Sequence, residues 1–209
     1  MEQQRGENPF DEPVRILRSS DPAAIASKAG GRWELSGKNE GRLLLPVLGK
    51  TFTVVWPEVA VEAPPGLDSF TLKLLALIYL TASDGTPSSG NWVAYRELPG
   101  GRFYEPVVKR SVEDPLAEAY AGVLTGFGPA CETLSGKRLS LGDVSCSFAL
   151  FPNVLLAFII WKADEEFSAR AQVLFDSTCN RHLNAFDLRM GAQEISSRLI
   201  RAGREARGE

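Results

Sequence analysis

Residues 151–176 read FPNVLLAFIIWKADEEFSARAQVLFD. An apolar run, Val154 to Trp161, leads into three consecutive carboxylates, Asp164, Glu165 and Glu166, then Phe167 and a second apolar run closing on Asp176. The first run is too short to cross a bilayer. Its β-branched and aromatic content favours a strand buried on both faces over a helix. The stretch therefore predicts a strand, a charged turn and a returning strand, the central hairpin of a sheet. Three like charges side by side at its tip repel one another unless they are solvated or neutralised by a cation or basic side chains.

Working outward, Trp33 to Ser36 and Arg42 to Leu45 flank the polar, glycine-bounded loop at 37–41, which is of hairpin length. A third strand, Lys50 to Trp56, alternates Phe52, Val54 and Trp56 on one face and stops at Pro57. Asp21-Pro22 reads as a cap followed by proline in the first turn of a short helix ended by Gly30-Gly31. Along Phe70 to Ala82 the leucines and Ile78 cover most of a helix circumference, which demands burial on more than one side, with Lys73 facing solvent. Trp92 to Glu97 is read as a further strand, turning at Leu98-Pro99-Gly100-Gly101 into a strand Arg102 to Tyr104. Asp114-Pro115 repeats the cap-plus-proline signature and opens a helix, Pro129 to Leu134 forms another, and Val144 to Leu150 is the strand that joins the hairpin. Asn184 caps a last amphipathic helix with Leu188, Ala192, Ile195 and Leu199 on one face. The fold class expected is α+β: a mainly antiparallel sheet with a central hairpin, packed against a buried apolar helix and a C-terminal amphipathic helix.

A chain of 209 residues with 44% hydrophobic content suits one core. The expected organisation is a loosely ordered segment at 1–12, a single domain at 13–203 and a frayed tail at 204–209. A net charge of −3 with interspersed signs lacks the basic field that holds nucleic acid or anionic membrane, so neither is expected as a partner. The start, MEQQRGENPFDEP, lacks the apolar core of a signal peptide, and no stretch is long enough to span a membrane. Cys131, Cys146 and Cys179 are too widely spaced to be a disulfide framework and fit a reducing compartment, so a cytoplasmic location is expected.

The acidic turn has three readings. It is a solvated tip with Asp164 and Glu166 paired to Arg170 or Lys162, or a recognition surface in which the carboxylates between Trp161 and Phe167 dock a partner or ligand. The third reading is a site where paired carboxylates hold a divalent cation or share acid and base roles. Asp176 is expected at the opposite end of the returning strand, as a cap or turn-former. Cys179 and His182, with two residues between them, have chelating spacing, and Cys131 and Cys146 are conceivable further ligands. A second tight pair, normal for a closed site, is missing. The stretch Arg96 to Arg102 lacks a phosphate-loop pattern and reads as a hairpin turn, although Arg96 and Arg102 flanking it could hold an anion.

Three pieces taken together resemble a known family. They are Leu48 to Val54 with Trp56-Pro57, then Trp92 to Gly101, and above all Trp161 to Phe167 followed by Leu174-Phe175-Asp176. The resemblance is to the uncharacterised family catalogued as domain of unknown function 3786, found mainly in anaerobic bacteria and archaea. Ser168 stands where the family pattern has proline. The resemblance implies a shared fold and an accessory role in anaerobic metal or corrinoid metabolism, and it supplies no activity. Some relatives resemble fusions with a cysteine-rich iron–sulfur module, and no such cysteine cluster occurs in this chain.

The function expected is a non-catalytic accessory or binding domain without a cofactor, engaging a protein or small ligand in a groove beside the hairpin. The candidate contacts are Trp92, Arg96, Trp161, Asp164, Glu165, Glu166 and Phe167. The alternative is a metal-dependent enzyme or metal carrier using the Asp164 to Glu166 turn and a divalent ion, with Cys179 and His182 as weaker ligands. One histidine and no paired nucleophile and base favour the first.

Overall fold

The computed structural model describes residues 8–38, 40–121 and 124–208, with backbone only at 206 and 207. Strands β1 (Arg32–Gly37), β2 (Glu40–Val47), β3 (Lys50–Trp56) and β4 (Ala60–Glu62) form an antiparallel meander. Strands β5 (Trp92–Ala94), β6 (Lys137–Arg138), β7 (Val144–Phe151), β8 (Val154–Trp161) and β9 (Arg170–Asp176) form a second antiparallel sheet in the order β5-β9-β8-β7-β6. The β8–β9 hairpin is thus central, with Trp161 opposite Arg170 and Leu156 opposite Phe175. Leu156, Phe158 and Ile160 on one face of β8, and Ala157 and Ile159 on the other, are all buried, as a strand covered on both sides requires.

The helices are α1 (Asp11–Arg18), α2 (Pro22–Lys28), α3 (Phe70–Ala82), α4 (Gly101–Val108), α5 (Asp114–Tyr120), α6 (Phe127–Thr133) and α7 (Ala185–Arg207). Two caps form where the sequence places them, Asp21 accepting from Ala23 N and Asn184 from Asp187 N, and α3 is capped by Ser69, which accepts from Leu72 N. Leu188, Ala192, Ile195 and Leu199 of α7 are buried. The class is α+β, with antiparallel sheets and a long C-terminal helix. The sheets meet where β2 packs on β7 and Leu48 N–H donates to Ala149 O at 3.1 Å. At that turn Gly49 has φ +75°, and a Cβ there would lie 2.0 Å from Ser135 Oγ, so only glycine fits.

Several expectations are corrected. Arg102 to Tyr104 is not a strand: Leu98 N–H donates to Tyr95 O and Gly101 N–H to Leu98 O, and these successive turns wind the chain into α4. Gly101 is required because a Cβ would sit 1.8 Å from Tyr95 O. The helix does not restart at Asp114-Pro115. It passes from α4 through a π-turn, Lys109–Glu113, directly into α5, and Asp114 keeps helical dihedrals (φ −61°, ψ −47°). Pro115 has no amide hydrogen to give, and the helix widens just before it instead of ending. Of the segment expected to be loosely ordered, residues 1–7 lie outside the described residues, and α1 begins at Asp11, with Leu17 fully buried. At the other end α7 runs through Arg207. Helix α5 lies on β8 and β9, while α3 packs among α1, α2 and α7 and meets the second sheet through Tyr79, stacked on Phe151 at 4.5 Å.

Leu156→Asp and Phe158→Asp are expected to abolish cooperative thermal unfolding. An unpaired buried charge costs several kcal/mol, comparable with a domain's whole stability of about 5–15 kcal/mol. The same charge at the exposed Lys162 is expected to leave the melting curve within about 0.5 kcal/mol of wild type.

Candidate functional site

At the tip of the hairpin, Asp164 Oδ1 accepts from Glu166 N at 2.9 Å and Phe167 N at 2.7 Å, while Asp164 N donates to Phe167 O at 2.9 Å. The carboxylate is the internal brace of the turn, as aspartates in short loops often are. These amides, helped by Lys162, hold its carboxyl below the usual range. Glu165, Glu166 and Phe167 are exposed, and among the described residues neither glutamate enters an ion pair. The expected pairing with Arg170 is replaced by a cation–π contact, the guanidinium lying 4.1 Å from the centroid of Trp161.

The remaining candidates do not join that tip. Trp92 lies opposite Asp176, whereas Trp161 lies opposite Arg170. Six residue steps of β9 put about 20 Å between these two ends. One groove cannot hold both Trp92 with Arg96 and Trp161 with the carboxylates. Asp176 is fully buried and accepts from Ser89 N and Oγ, Gly90 N, and Thr178 N and Oγ1. Burial alone would raise its pKa, but these donors outweigh burial and hold it below the ordinary value. Asp176 thereby ties the loop before β5 to the end of β9.

Cys179 and His182 do not converge on a common point. The Cys179 thiol donates to Leu155 O, and burial pushes its pKa up to about 12. His182 Nε2 lies 2.9 Å from Thr86 O, a pure acceptor, so Nε2 carries the hydrogen and Nδ1 accepts from the Ser83 hydroxyl at 3.0 Å. Burial lowers the pKa of this imidazole. Both ring nitrogens are engaged in holding the loop at 83–86. Among the described residues no group of three His, Cys, Asp or Glu side chains is arranged to hold a metal ion.

A further surface lies at the start of α4, where the sequence predicts a hairpin. Arg96, Glu97, Leu98, Gly100, Arg102 and Phe103 line a groove of about 580 Å³. Phe103 is 81% exposed and meets Tyr104 edge to face at 5.0 Å, and Tyr104 in turn meets Phe186 of α7 at 6.0 Å. The Arg189 guanidinium lies 4.8 Å from the centroid of Phe186, and its buried Nε has no partner. Arg96 makes only a 3.6 Å exposed contact with Glu105, and Arg102 has no ion pair among the described residues. Glu97 lines the same groove, its carboxylate held in place by accepting from Ala94 N at 2.7 Å. Of this surface the sequence identifies only Arg96 and Arg102. Phe103, Tyr104, Phe186 and Arg189 are missed, since α4 had to form before they could meet. The legible signal is the pair of aromatic–arginine neighbours, Arg102-Phe103-Tyr104 and Phe186 with Arg189 three residues on.

Two antiparallel sheets bridged by helices, with exposed rings and guanidiniums clustered on one corner, define an α+β domain. The chain belongs to the family described as Domain of unknown function (DUF3786), which it matches over residues 21–197. No curated protein and no solved structure matches it. Among the described residues no helix is long and apolar enough to cross a membrane.

The buried ionisable groups predict a specific pH response. A lowered His182 pKa means the unfolded chain binds more protons just below pH 6.5, so stability falls as pH drops through that value. Asp176, also lowered, adds a second loss below its unfolded value of 3.8. Asp187, 6% exposed, has its carboxyl pushed up by burial, so its sign is opposite: its ionisation weakens the fold as pH rises above 3.8. Melting curves of Asp187→Asn are therefore expected above wild type at pH 7, with the difference closing below about pH 4. Asp176→Ala is expected to lose roughly 2–4 kcal/mol at pH 7 by denaturant titration, because its donors are left unpaired in a buried site.

Proposed function

We propose that this protein is a non-catalytic binding domain that docks an acidic segment of a partner protein on the face formed by Phe103, Tyr104, Phe186, Arg96, Arg102 and Arg189. The observation that carries the reading is the line of three edge-to-face rings ending in Phe103, 81% exposed, beside the guanidiniums of Arg96, which makes only an exposed 3.6 Å contact with Glu105, and Arg102, which has no ion pair among the described residues. Exposed aromatic and arginine side chains are the residue types that anchor protein interfaces. In a chain of net charge −3, a local cluster of guanidiniums selects an acidic partner and steers it to this corner. An accessory role alongside anaerobic metal or corrinoid enzymes, suggested by the family resemblance, is compatible with such a docking domain. The acidic hairpin tip is the weaker candidate surface. Its one ordered carboxylate is spent bracing the turn, and Arg170 covers Trp161.

The test uses a fluorescent peptide of alternating Glu and Phe with anisotropy as the readout. Binding is expected to weaken roughly tenfold or more for Phe103→Ser and for Arg102→Glu, consistent with loss of a hot-spot contact. It is also expected to fall with added salt and to be lost when the peptide's Glu residues are replaced by Gln. Equal binding of the Glu and Gln peptides, or binding unaffected by both substitutions, would refute the assignment. Loss caused instead by Glu165→Lys would transfer it to the hairpin tip.

A further inference from the structure

The two most exposed aromatic rings among the described residues are Phe103 and Phe167, the latter 68% exposed. Phe103 sits on the basic corner at the start of α4, and Phe167 on the acidic tip of the β8–β9 hairpin. The two places are opposite in charge. Arg96 and Arg102 line the groove at the corner, whereas Glu165 and Glu166 stand exposed at the tip and enter no ion pair among the described residues. The tip is also held in one shape. Asp164 accepts from the amides of Glu166 and Phe167 and gives its own N–H to Phe167 O, so residues 164–167 form a closed turn that leaves Glu165, Glu166 and Phe167 displayed. An acidic segment that carries a phenylalanine and is already ordered loses less conformational entropy on docking than a flexible peptide of the same composition. Among the described residues no ion pair and no ring contact joins the tip to the corner of the same molecule.

We propose that the hairpin tip of one copy of this chain docks in the arginine–phenylalanine corner of a second copy. The proposal rests on the docking reading given above and names its occupant. Glu165 and Glu166 meet the guanidiniums of Arg96 and Arg102, and Phe167 extends the line of rings that ends in Phe103. The acid of the groove, Glu97, is matched by the exposed Lys162 beside the tip. Tip and corner are different surfaces, so the contact is heterologous. A docked pair keeps one free tip and one free corner and adds further copies head to tail, unless the rotation closes a ring. A single turn covers far less than the roughly 800 Å² per partner of a standard interface, so the association is weak and depends on concentration. Salt screens the attraction between the two patches and weakens it further.

Sedimentation velocity at rising concentration tests this on the full-length wild type, on Phe103→Ser, on Glu165→Lys and on an equimolar mixture of the two variants, with anisotropy of the Glu and Phe peptide read on the same samples. The wild type is expected to grow past the mass of two chains, and added salt is expected to reverse the growth. Each variant alone is expected to associate roughly tenfold more weakly or less. The mixture is expected to form pairs and stop there, because the intact tip of Phe103→Ser fits the intact corner of Glu165→Lys and no working tip or corner is left over. Damage to one shared two-fold surface, or a failure to fold, cannot produce that rescue. The proposal is overturned if the wild type stays a single chain at every concentration, if both variants associate as the wild type does, or if the mixture is no stronger than the variants alone. Peptide binding separates this result from the reading beneath it. A wild type that binds the peptide and stays a single chain removes the second copy as occupant and keeps the docking surface, whereas loss of both removes the surface as well.

Discussion

Everything in this fold answers to a strand that has no solvent face. Strand β8 presents apolar side chains to both sides, so each face must be covered and every backbone group must find a partner within the sheet. β7 and β9 supply the hydrogen bonds on its two edges. The helical segments and the meander then gather around the sheet into one continuous buried cluster. The charged residues of the hairpin are expelled to the loop, where water and the Asp164 brace accommodate them.

The helices are attached to this frame by buried tyrosines as much as by aliphatic packing. Tyr79 of α3 donates to Ala29 O, Tyr95 to Ala185 O at the start of α7, and Tyr120 of α5 to Leu199 O. Each joins segments at least 50 residues apart, and each satisfies a hydroxyl that would otherwise be costly to bury. The Tyr95 bond fixes the chain just ahead of α4 against the start of α7. This is the juxtaposition that brings Phe103 and Tyr104 to Phe186 and Arg189. The contact surface is thus a by-product of how two helix starts are pinned together.

Buried polar groups on the chain mostly serve loops. Asp176 and His182 both hold the segment between α3 and β5, which carries no regular structure of its own. That duty explains why Cys179 and His182, a plausible chelating pair by spacing, do not act as one: their heteroatoms are already engaged with backbone and hydroxyl groups.

By itself the sequence determined the elements whose signal is local. The apolar run of β8, the alternation of β3, the all-round leucines of α3 and the caps Asp21 and Asn184 were all legible, because burial pattern and capping chemistry are written within a few residues. The opposite placement of Asp176 and the acidic turn was also legible, from strand rise alone. Tertiary structure decided what depends on distant partners. The turns from Tyr95 through Gly101 look like a hairpin until the chain winds onward into α4, and Asp114-Pro115 looks like a helix start until a π-turn carries the helix across it. The aromatic–arginine corner joins residues of α4 and α7 that lie far apart in the chain, and no periodicity encodes such a meeting. Only the packing of α4 on α7 creates it.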